Sequence, residues 1–417
     1  MIDFLVAKRI GSTENLNSRR IYLSISLISG IGILLYFKYL LFFANVFGYD
    51  NLSLTMRVLT PIGISYYIFK SLSYTMGVYR EEIEIEKSLL DYLLYVSFFT
   101  NIIAGPISLA KNLLPQIKSE LQITSKNLNA GFFLILTGII KKYVIADYIG
   151  INFVERIFES PNIFTAFENL VAVYGATIQL YCDFSGYTDI VLGLSLLMGF
   201  TIEPNFNKPF MATSITDFWR RWHITIYTWL REFVFTPLSF SLRNLKTSGI
   251  LLSIMITFLV SGLWHGANFT FIIWGLVHGF FICSDIVLKN FWEKVQKIVP
   301  ERIFNFAAIF VTFNIVVFSF ALFRSPDLYT AGLIFERIFT SFSFHPAAAW
   351  FEVYSGPAIM MIFAMIAFYL PEKFYAVLQS YFSDLHWSIK TASIAIIIYI
   401  AFQFFSAESL PFIYLEF

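Results

Sequence analysis

Apolar residues fill long stretches of this chain, and charged residues gather in short segments between them. The apolar windows reach or approach the roughly 20 residues that one helical crossing of a bilayer needs. Backbone groups in lipid must bond within their own segment, so we expect helices rather than strands. The pattern predicts an all-α polytopic membrane protein with about eight to eleven spans or partial spans. The windows are Ile21–Tyr49, interrupted only by Lys38, Leu52–Phe69, Asn169–Cys182 continuing through Ile190–Ile202, Thr247–Ser284, Ile303–Phe323, Val353–Pro371 and Thr391–Ala407.

The charged segments are too short for a separate soluble domain, so we predict a single membrane domain over residues 1–417. Lysine and arginine mark cytoplasmic loops. The candidates Lys141–Lys142, Arg243–Lys246 and Lys289–Arg302 leave the orientation open. The N-terminus is too polar for a secretory signal peptide, so we expect insertion through the first true span. The connectors are Arg80–Lys87, Lys118–Lys126, Arg243–Lys246, Lys289–Arg302 and Glu372–Lys390.

Composition excludes several classes of function. With 57% hydrophobic and 14% charged residues, the chain lies outside the balance of soluble globular proteins. A net charge of +1 gives no argument for nucleic acid. Cys182 and Cys283 lie in apolar surroundings and are expected to be reduced, buried thiols. No zinc-type spacing, P-loop or dinucleotide fingerprint occurs, so we expect no bound metal.

The segment SITDFWRRWHITIYTWLREF, Ser214–Phe233, predicts one amphipathic helix. Its start resembles a capping box, with Ser214 as the cap and Asp217 three residues later. Such a helix, basic on one face and rich in tryptophan on the other, lies at the membrane interface or re-enters at shallow depth. His223 falls at the edge of the apolar face, where it either positions the helix or lines a substrate path. The apolar arc holds Phe218, Trp219, Trp222, Ile226, Trp229, Leu230 and Phe233, and the polar face includes Arg220, Arg221 and Arg231.

His265 lies near the middle of a run, Thr247 to Ser284, that contains no Asp, Glu, Lys or Arg. Gly262, Gly266 and Asn268 weaken helical preference around it, and a break at membrane depth must face protein or a watery cavity. A neutral imidazole there is either a proton acceptor or a structural group bonded to a neighbouring helix. His278, 13 residues later, is expected to be structural.

Two further segments carry polar groups among apolar ones. In YCDFSGYTDI, Asp183 and Asp189 either brace a helix through Ser185 or Tyr187 or line a cavity. In NFNKPF, Asn205–Phe210, Pro209 ends any preceding helix and Lys208 is placed to meet a headgroup or a phosphate. The stretches Ile103–Pro106 and Pro61–Phe69 supply helix breaks.

Taken together, these motifs resemble the membrane-bound O-acyltransferase superfamily, and most closely its bacterial branch of alginate O-acetyltransferase membrane subunits. They match in order over about Leu59 to Asp327, as PIGISYYIFKSLSYTMGVYR, IAGPI, QLYCDFSGYTDIVLGLSLLMGF, NFNKPF, SITDFWRRWHITIYTWLREF, LWHGANFTFIIWGLVHG and LFRSPD. The resemblance implies a ring of tilted helices around a central tunnel, with re-entrant or interfacial helices. It also implies that His265 is catalytic and that His223 is a second functional residue. Residues expected to line or support the tunnel are Trp264, Asn268, Trp222, Arg220, Arg221, Asp183 and Lys208.

The resemblance implies an enzyme of the bacterial cytoplasmic membrane that moves an acyl group, acetyl in the first place, to a hydroxyl of an extracytoplasmic polysaccharide. The co-substrate would be acyl-CoA, such as acetyl-CoA, or the thioester of an acyl carrier protein. His265 would be the general base. The expected partners are the lipid bilayer and either the polysaccharide itself or an extracytoplasmic acyltransferase that relays the group.

Three alternatives stand beside this interpretation. D-alanyl transfer from a carrier protein toward teichoic acid uses the same chemistry. A transporter or flippase would use Asp183, Asp189 and His265 as a proton relay, although no internal repeat is found. A non-catalytic scaffold would tolerate replacement of His265. Relatives in this branch carry further apolar segments before the region of Ile21, so either a span or two is dispensable in this protein or its start is truncated.

Overall fold

The structure is a computed structural model that describes residues 1–48, 61–101 and 104–404. Every regular element in these ranges is helical, as the sequence predicts. Half of the predicted window Leu52–Phe69 lies outside the described residues, as do Ile103 and the last three residues of Thr391–Ala407.

One compact unit comprises Met1–Thr124 and Ser195–Glu203. Its first helix packs against the second and fourth, and Phe4, Ala7 and Ile10 bury its apolar side. The Oγ of Ser71, on the fourth helix, donates a hydrogen bond of 2.7 Å to Asp3 on the first. The helices are α1 (Ile2–Gly11), α2 (Leu16–Leu34), α3 (Leu40–Val46), α4 (Ile64–Tyr79), α5 (Leu89–Val96) and α6 (Ala110–Lys118).

The second compact unit comprises Ser125–Leu194 and Pro204–Phe417, described as far as residue 404. Its first helix, α7, contains two π-helical turns, Ile140–Ala146 and Gly150–Val154. The helices are α7 (Ser125–Glu159), α8 (Ala166–Leu197, which belongs to this unit as far as Leu194), α9 (Ile215–Trp219), α10 (Ile224–Leu230), α11 (Thr236–Ser241), α12 (Lys246–His265), α13 (Phe269–Val287), α14 (Lys289–Ile298), α15 (Glu301–Arg324), α16 (Leu328–Thr340), α17 (Ala347–Val353), α18 (Ser355–Tyr369), α19 (Glu372–Asp384) and α20 (Trp387–Phe404).

Six helices in the described part of the chain are long and apolar enough to cross a membrane. The pair α17 and α18, bent by 99°, would make a seventh if it forms one broken span. This is fewer than the eight to eleven spans and partial spans expected. The run Thr247–Ser284 holds two of the six, because α12 and α13 meet at the break after His265. The protein is therefore a multi-pass membrane protein.

The sequence pattern missed the span Ser125–Glu159. Lys141 and Lys142 lie inside it and were interpreted as a candidate loop marker. In the structure both lysines are ion-paired to carboxylates of α8, Lys141 to Asp189 and Lys142 to Asp183. Pairing offsets much of the cost of placing a charge at membrane depth. Lys141–Lys142 is therefore part of a helix, and its use as a loop marker is wrong.

Both cysteines are free thiols. Cys182 on α8 is buried as expected. Cys283 on α13 is only half-buried, and its Sγ donates to the Leu251 carbonyl at 3.6 Å. The expectation of two buried thiols is right for Cys182 only. Within residues 1–48, 61–101 and 104–404, no three His, Cys, Asp or Glu side chains are grouped so that they could hold a metal ion.

Two glycines let α12 and α13 approach as an antiparallel hairpin. A Cβ on Gly262 would lie 2.3 Å from the carbonyl oxygen of Phe271. A Cβ on Gly275 would lie 2.3 Å from the carbonyl oxygen of Phe258. Backbone atoms cannot move aside as a flexible side chain can, so any larger residue would push the two helices apart. This contact fixes the hairpin whose connection begins just after His265.

Replacement of Gly262 by alanine is expected to destabilise the protein by about 1–3 kcal/mol, because the added methyl group overpacks the hairpin. The measurement is the midpoint of thermal unfolding in detergent. Gly332→Ala is the matched control, since nothing lies within 4 Å of a Cβ at that position on α16. The control should be neutral or stabilising, because alanine favours a helix over glycine by about 1 kcal/mol. Equal midpoints for the two variants would contradict the close contact.

Candidate active site

The end of α12 places the imidazole of His265 inside the protein. Gly266 leaves the helix in extended backbone, with φ −169° and ψ 158°. Asn268 then caps α13, because its Oδ1 accepts a hydrogen bond from the Thr270 N–H at 3.1 Å. The break that the sequence predicts in the charge-free run is confirmed. His265 is only 5% exposed at this break.

Aromatic rings surround His265. The ring centroids of Trp264, Trp274 and Phe323 lie 4.6, 4.9 and 5.0 Å from the centroid of the imidazole. That of Phe271 lies at 6.4 Å. We call these four rings together with His265 the aromatic cluster. Such walls exclude water and suit an uncharged imidazole, which is the form that can accept a proton.

His223 lies at a second break, where the sequence pattern predicts one continuous helix. Ser214 caps α9 as expected and accepts a hydrogen bond from the Asp217 N–H at 3.1 Å. However, α9 ends at Trp219 and α10 begins only at Ile224. Between them His223 adopts left-handed backbone, with φ 43° and ψ 53°. The prediction of a single helix over Ser214–Phe233 is wrong.

The polar turn that precedes α9 explains this break. The Asn207 N–H donates to the Arg221 carbonyl, and the Ile224 N–H donates to the Asn205 carbonyl, both at 2.9 Å. These bonds occupy backbone groups that a continuous helix would pair internally. The segment around His223 is therefore held by a stretch of chain about 16 residues earlier, a connection that helical periodicity does not encode.

Asn205 holds the imidazole of His223 inside the protein. Asn205 is 0% exposed and His223 is 1% exposed. The Oδ1 of Asn205 lies 3.3 Å from His223 Nδ1. The same oxygen accepts hydrogen bonds from the N–H of Thr225 at 3.3 Å and from its Oγ1 at 2.6 Å. Burial lowers the pKa of His223 to about 3, so its imidazole is neutral at pH 7.

Trp264 packs against both histidines that were predicted to be catalytic. Its ring centroid is 6.2 Å from that of His223 and 4.6 Å from that of His265. Phe184 of α8 packs edge-on against His223 at 4.7 Å and lies 6.5 Å from buried Trp222. The predicted residues His223, His265, Trp264 and Trp222 thus come together in one buried aromatic site.

His278 has a different environment, which fits the structural role predicted for it. It is 0% exposed on α13. The Nε1–H of Trp219 donates to His278 Nδ1 at 3.2 Å, so Nε2 carries the proton and donates to Ser319 Oγ at 3.0 Å. Ser319 Oγ donates in turn to the Val316 carbonyl at 2.7 Å. Both ring nitrogens of His278 therefore join α9, α13 and α15.

The two arginines predicted to support the tunnel directly follow α9. Arg220 is exposed. The Nε of Arg221 donates to Asp217 Oδ1 at 2.9 Å, an ion pair between half-exposed side chains. Both positive charges are therefore at least partly exposed.

Lys208 and Asn268 bind backbone carbonyls. Lys208 has left-handed backbone with φ 46°, and its Nζ donates to the Leu370 carbonyl. The Nδ2 of Asn268 donates to the Pro326 carbonyl at 2.6 Å. Lys208 thus ties the NFNKPF turn to the end of α18, and Asn268 ties the connection after His265 to the connection between α15 and α16.

Asp183 and Asp189 form ion pairs with the two lysines of α7. Lys142 Nζ lies 2.5 Å from Asp183 Oδ1 and 2.8 Å from Asp147 Oδ1, and all three side chains are at most 6% exposed. Lys141 Nζ lies 2.6 Å from Asp189 Oδ2. One buried ammonium therefore faces two carboxylates, and a second pair lies beside it.

The sequence predicts that Asp183 and Asp189 either brace a helix through Ser185 or Tyr187 or line a cavity. The structure adds lysines of a neighbouring helix as partners of both carboxylates. A proton relay needs acids that can exchange protons freely. Since each of these carboxylates already faces an ammonium group, the geometry disfavours the transporter interpretation.

Sequence reasoning overlooked three residues of this region. Asn205 belongs to the NFNKPF turn, for which the sequence predicts a role of Lys208 only. Trp274 was treated as part of an apolar helix, although it contacts both His265 and His278 at 4.9 Å. Lys142 was interpreted as part of a loop. The available signal was a polar residue with an unexplained position in an otherwise apolar segment.

A sequence profile described as the membrane-bound O-acyltransferase family matches residues 12–325 of the chain. This range includes both histidines, the aromatic cluster and the ion pairs between α7 and α8.

Named relatives fall into three groups by the acyl acceptor in their names. A probable alginate O-acetylase of Pseudomonas putida is 37% identical over 75% of this chain and 64% of its own length. A peptidoglycan O-acetyltransferase of Helicobacter pylori is 30% identical over 79% of this chain and 67% of its own. A teichoic acid D-alanyltransferase of Bacillus subtilis is 31% identical over 66% and 71%, respectively. The chain spans less than two thirds of the length of the alginate O-acetylase.

Proposed function

This chain belongs to the membrane-bound O-acyltransferase family, and on that premise we propose that it transfers an acyl group from a thioester to a hydroxyl group of an extracytoplasmic polysaccharide. Acetyl is the acyl group that the names of two relatives support. The spanning helices put the protein in a bilayer, and we propose the bacterial cytoplasmic membrane.

One observation carries this proposal: two buried imidazoles, His223 and His265, both pack against Trp264. Acyl transfer requires the acceptor hydroxyl to lose its proton as its oxygen attacks the thioester carbonyl carbon. We assign this proton to His265, which accepts it as the new C–O bond forms. The C–S bond then breaks, and the proton passes to the leaving thiolate. His265 ends unchanged, and transfer is direct with both substrates bound together.

The attack also places negative charge on the carbonyl oxygen, which needs a hydrogen-bond donor. The indole N–H of Trp264 is the donor we propose, because its ring contacts His265 at 4.6 Å. Asn268 is a weaker candidate, since its amide already donates to the Pro326 carbonyl at 2.6 Å. An Asn268 amide that turned toward substrate would lose this bond.

D-alanyl transfer from a carrier-protein thioester is the second candidate, and the relative from Bacillus subtilis favours it. It uses the same bond changes and the same base. The two proposals differ in the donor, which is acetyl-CoA in one and a carrier protein in the other.

The function is therefore tested by measuring which thioester donor the protein uses. Detergent-purified protein is supplied with radiolabelled acetyl-CoA and alginate oligosaccharide or muropeptide, and separately with a D-alanyl carrier-protein thioester and lipoteichoic acid. We expect free thiol and labelled ester with acetyl-CoA, and neither product from the D-alanyl mixture. D-alanyl ester alone would replace the first proposal by the second. A correctly folded protein that makes no ester from either mixture would contradict both.

A further inference from the structure

Three polar groups approach one atom of Asn205. Its Oδ1 is approached by the Thr225 N–H, the Thr225 Oγ1 and the Nδ1 of His223 at 3.3, 2.6 and 3.3 Å. Its backbone carbonyl accepts a hydrogen bond from the Ile224 N–H at 2.9 Å. Asn205 therefore binds the residue of the left-handed turn and both residues that follow it.

The Thr225 bond determines which way the Asn205 amide faces. A backbone N–H is always a donor, so the atom that faces it must be the amide oxygen and not the amide nitrogen. The nitrogen of His223 that faces the same oxygen must then be a donor as well. In a neutral imidazole only one nitrogen carries hydrogen, so Nδ1 is protonated and Nε2 holds the lone pair.

We propose that Asn205 is the positioning residue of His223, which it fixes in the Nδ1–H tautomer so that Nε2 meets the substrate as a hydrogen-bond acceptor. The ring nitrogens point in diverging directions, so Nε2 faces away from Asn205. A hydroxyl group is the kind of ligand that such an atom recognises, and a polysaccharide offers hydroxyls besides the attacking one, whose proton passes to His265. The expected effect of Asn205 on catalysis rests on the proposed acyl transfer. The assignment of the His223 tautomer does not depend on that function.

The contacts around His223 indicate that Asn205 determines which ring nitrogen of the imidazole carries the hydrogen. Phe184 and Trp264 present aromatic rings to the imidazole. The titratable groups on the neighbouring segments include Asp183, which faces Lys142, Arg221, which faces Asp217, and His265, which contacts Trp264. Lys208 donates to the Leu370 carbonyl, and Arg220 is exposed. Among these contacts, the bond to Asn205 is the one that distinguishes the two ring nitrogens.

The tautomer is tested directly by ¹⁵N NMR of protein labelled at its five histidines. The ¹⁵N shifts separate a protonated ring nitrogen from one with a lone pair, and His223→Asn identifies the signals by their loss. We expect Nδ1–H in the wild-type protein and a mixture or Nε2–H in Asn205→Ala. Nε2–H at His223 in the wild-type protein would overturn the inference, whether or not the protein transfers acetyl groups.

The kinetic test compares Asn205→Ala with Asn205→Asp in the acetyl-CoA and alginate oligosaccharide assay. Alanine removes the acceptor, so kcat/KM should fall about 10- to 100-fold while the protein remains folded. Aspartate keeps the acceptor but adds a negative charge, which raises the pKa of His223. A protonated ring has no acceptor nitrogen, so the loss of activity on the acid side should move to higher pH by about 1–3 units. At pH values above this acid-side loss, Asn205→Asp should recover the kcat/KM that Asn205→Ala loses.

Thr225→Val is the matched control, since it removes one donor from Asn205 Oδ1 and leaves the His223 bond in place. The unfolding midpoint of Thr225→Val should fall about as far as that of Asn205→Ala. Its kcat/KM and pH profile should stay those of the wild-type protein. A folded Asn205→Ala protein with wild-type kcat/KM and pH profile would contradict the positioning role. If the wild-type protein forms no ester, the proposed function fails, and the NMR result still decides the tautomer.

Discussion

Replacement of His265 by glutamine is expected to lower acyl transfer by about 10²- to 10⁴-fold, the contribution typical of a general base. Glutamine fills a similar volume and keeps a polar end within the aromatic cluster, so the fold should survive. Its amide cannot take a proton at neutral pH, so the hydroxyl oxygen attacks without losing its proton. The loss should appear in kcat, because the substrates can still bind.

Two other histidines serve as controls for this result. His278→Gln disturbs a residue that is equally buried but bonded through both nitrogens to Trp219 and Ser319. It should lower the unfolding temperature while activity per folded molecule stays near that of the wild type. His345→Gln changes an exposed residue and should alter neither quantity. Full transfer by a folded His265→Gln protein would assign the base elsewhere and favour a scaffold role.

Replacement of Lys142 by methionine is expected to cost about 3–5 kcal/mol of stability, because it leaves two buried carboxylates without their ammonium partner. Asp147 and Asp183 lie 2.8 and 2.5 Å from the Lys142 Nζ, and the three side chains are 6%, 2% and 3% exposed, respectively. Carboxylates at such depth must gain a proton or rearrange. The expected result is a sharp fall in folded protein in the membrane and in the midpoint of thermal unfolding.

Lys126→Met provides a control on the same helix, since Lys126 is exposed and its loss should have little effect. A triple variant, with Lys142→Met, Asp147→Asn and Asp183→Asn, removes all three charges together. It should recover most of the lost stability, because polar groups without charge are much cheaper to bury. If the triple variant unfolds as readily as Lys142→Met, the loss comes from packing and not from unpaired charge.

The sequence predicted those parts of the fold that depend on local composition. Charge-free runs became spanning helices, and the glycines and Asn268 around His265 marked a true break. The span α7 was missed because Lys141 and Lys142 interrupt its apolar pattern. Their partners, Asp189 and Asp183, lie more than 40 residues away in sequence, on α8. A window of 20 residues contains no information about such partners.

The site was predictable to the same extent. His265 and Trp264 were identified from their position in an apolar run and by family resemblance, and the contact of Trp264 with both histidines fits that expectation. The break at His223 was not predicted, since backbone bonds from Asn205 and Asn207 interrupt an otherwise regular amphipathic pattern. Asn205 itself has no local signal. Its importance depends on groups of His223 and Thr225 that reach its Oδ1 only in the folded chain.

The π-helical turns of α7 let this helix carry extra residues without redirecting the side chains that follow. Each such turn accommodates one residue more than an α-helical turn, so a deletion there restores regular geometry while the residues beyond keep their orientation. A deletion in a regular α-helical stretch instead rotates everything beyond it by about 100°. After the turn Gly150–Val154 comes Glu155, which pairs with Arg324 and accepts a hydrogen bond from Gln179 at 3.1 Å. A single-residue deletion within Gly150–Val154 would therefore leave Glu155 facing both partners, whereas the same deletion within 125–139 would displace the later side chains of α7 from the partners they meet now.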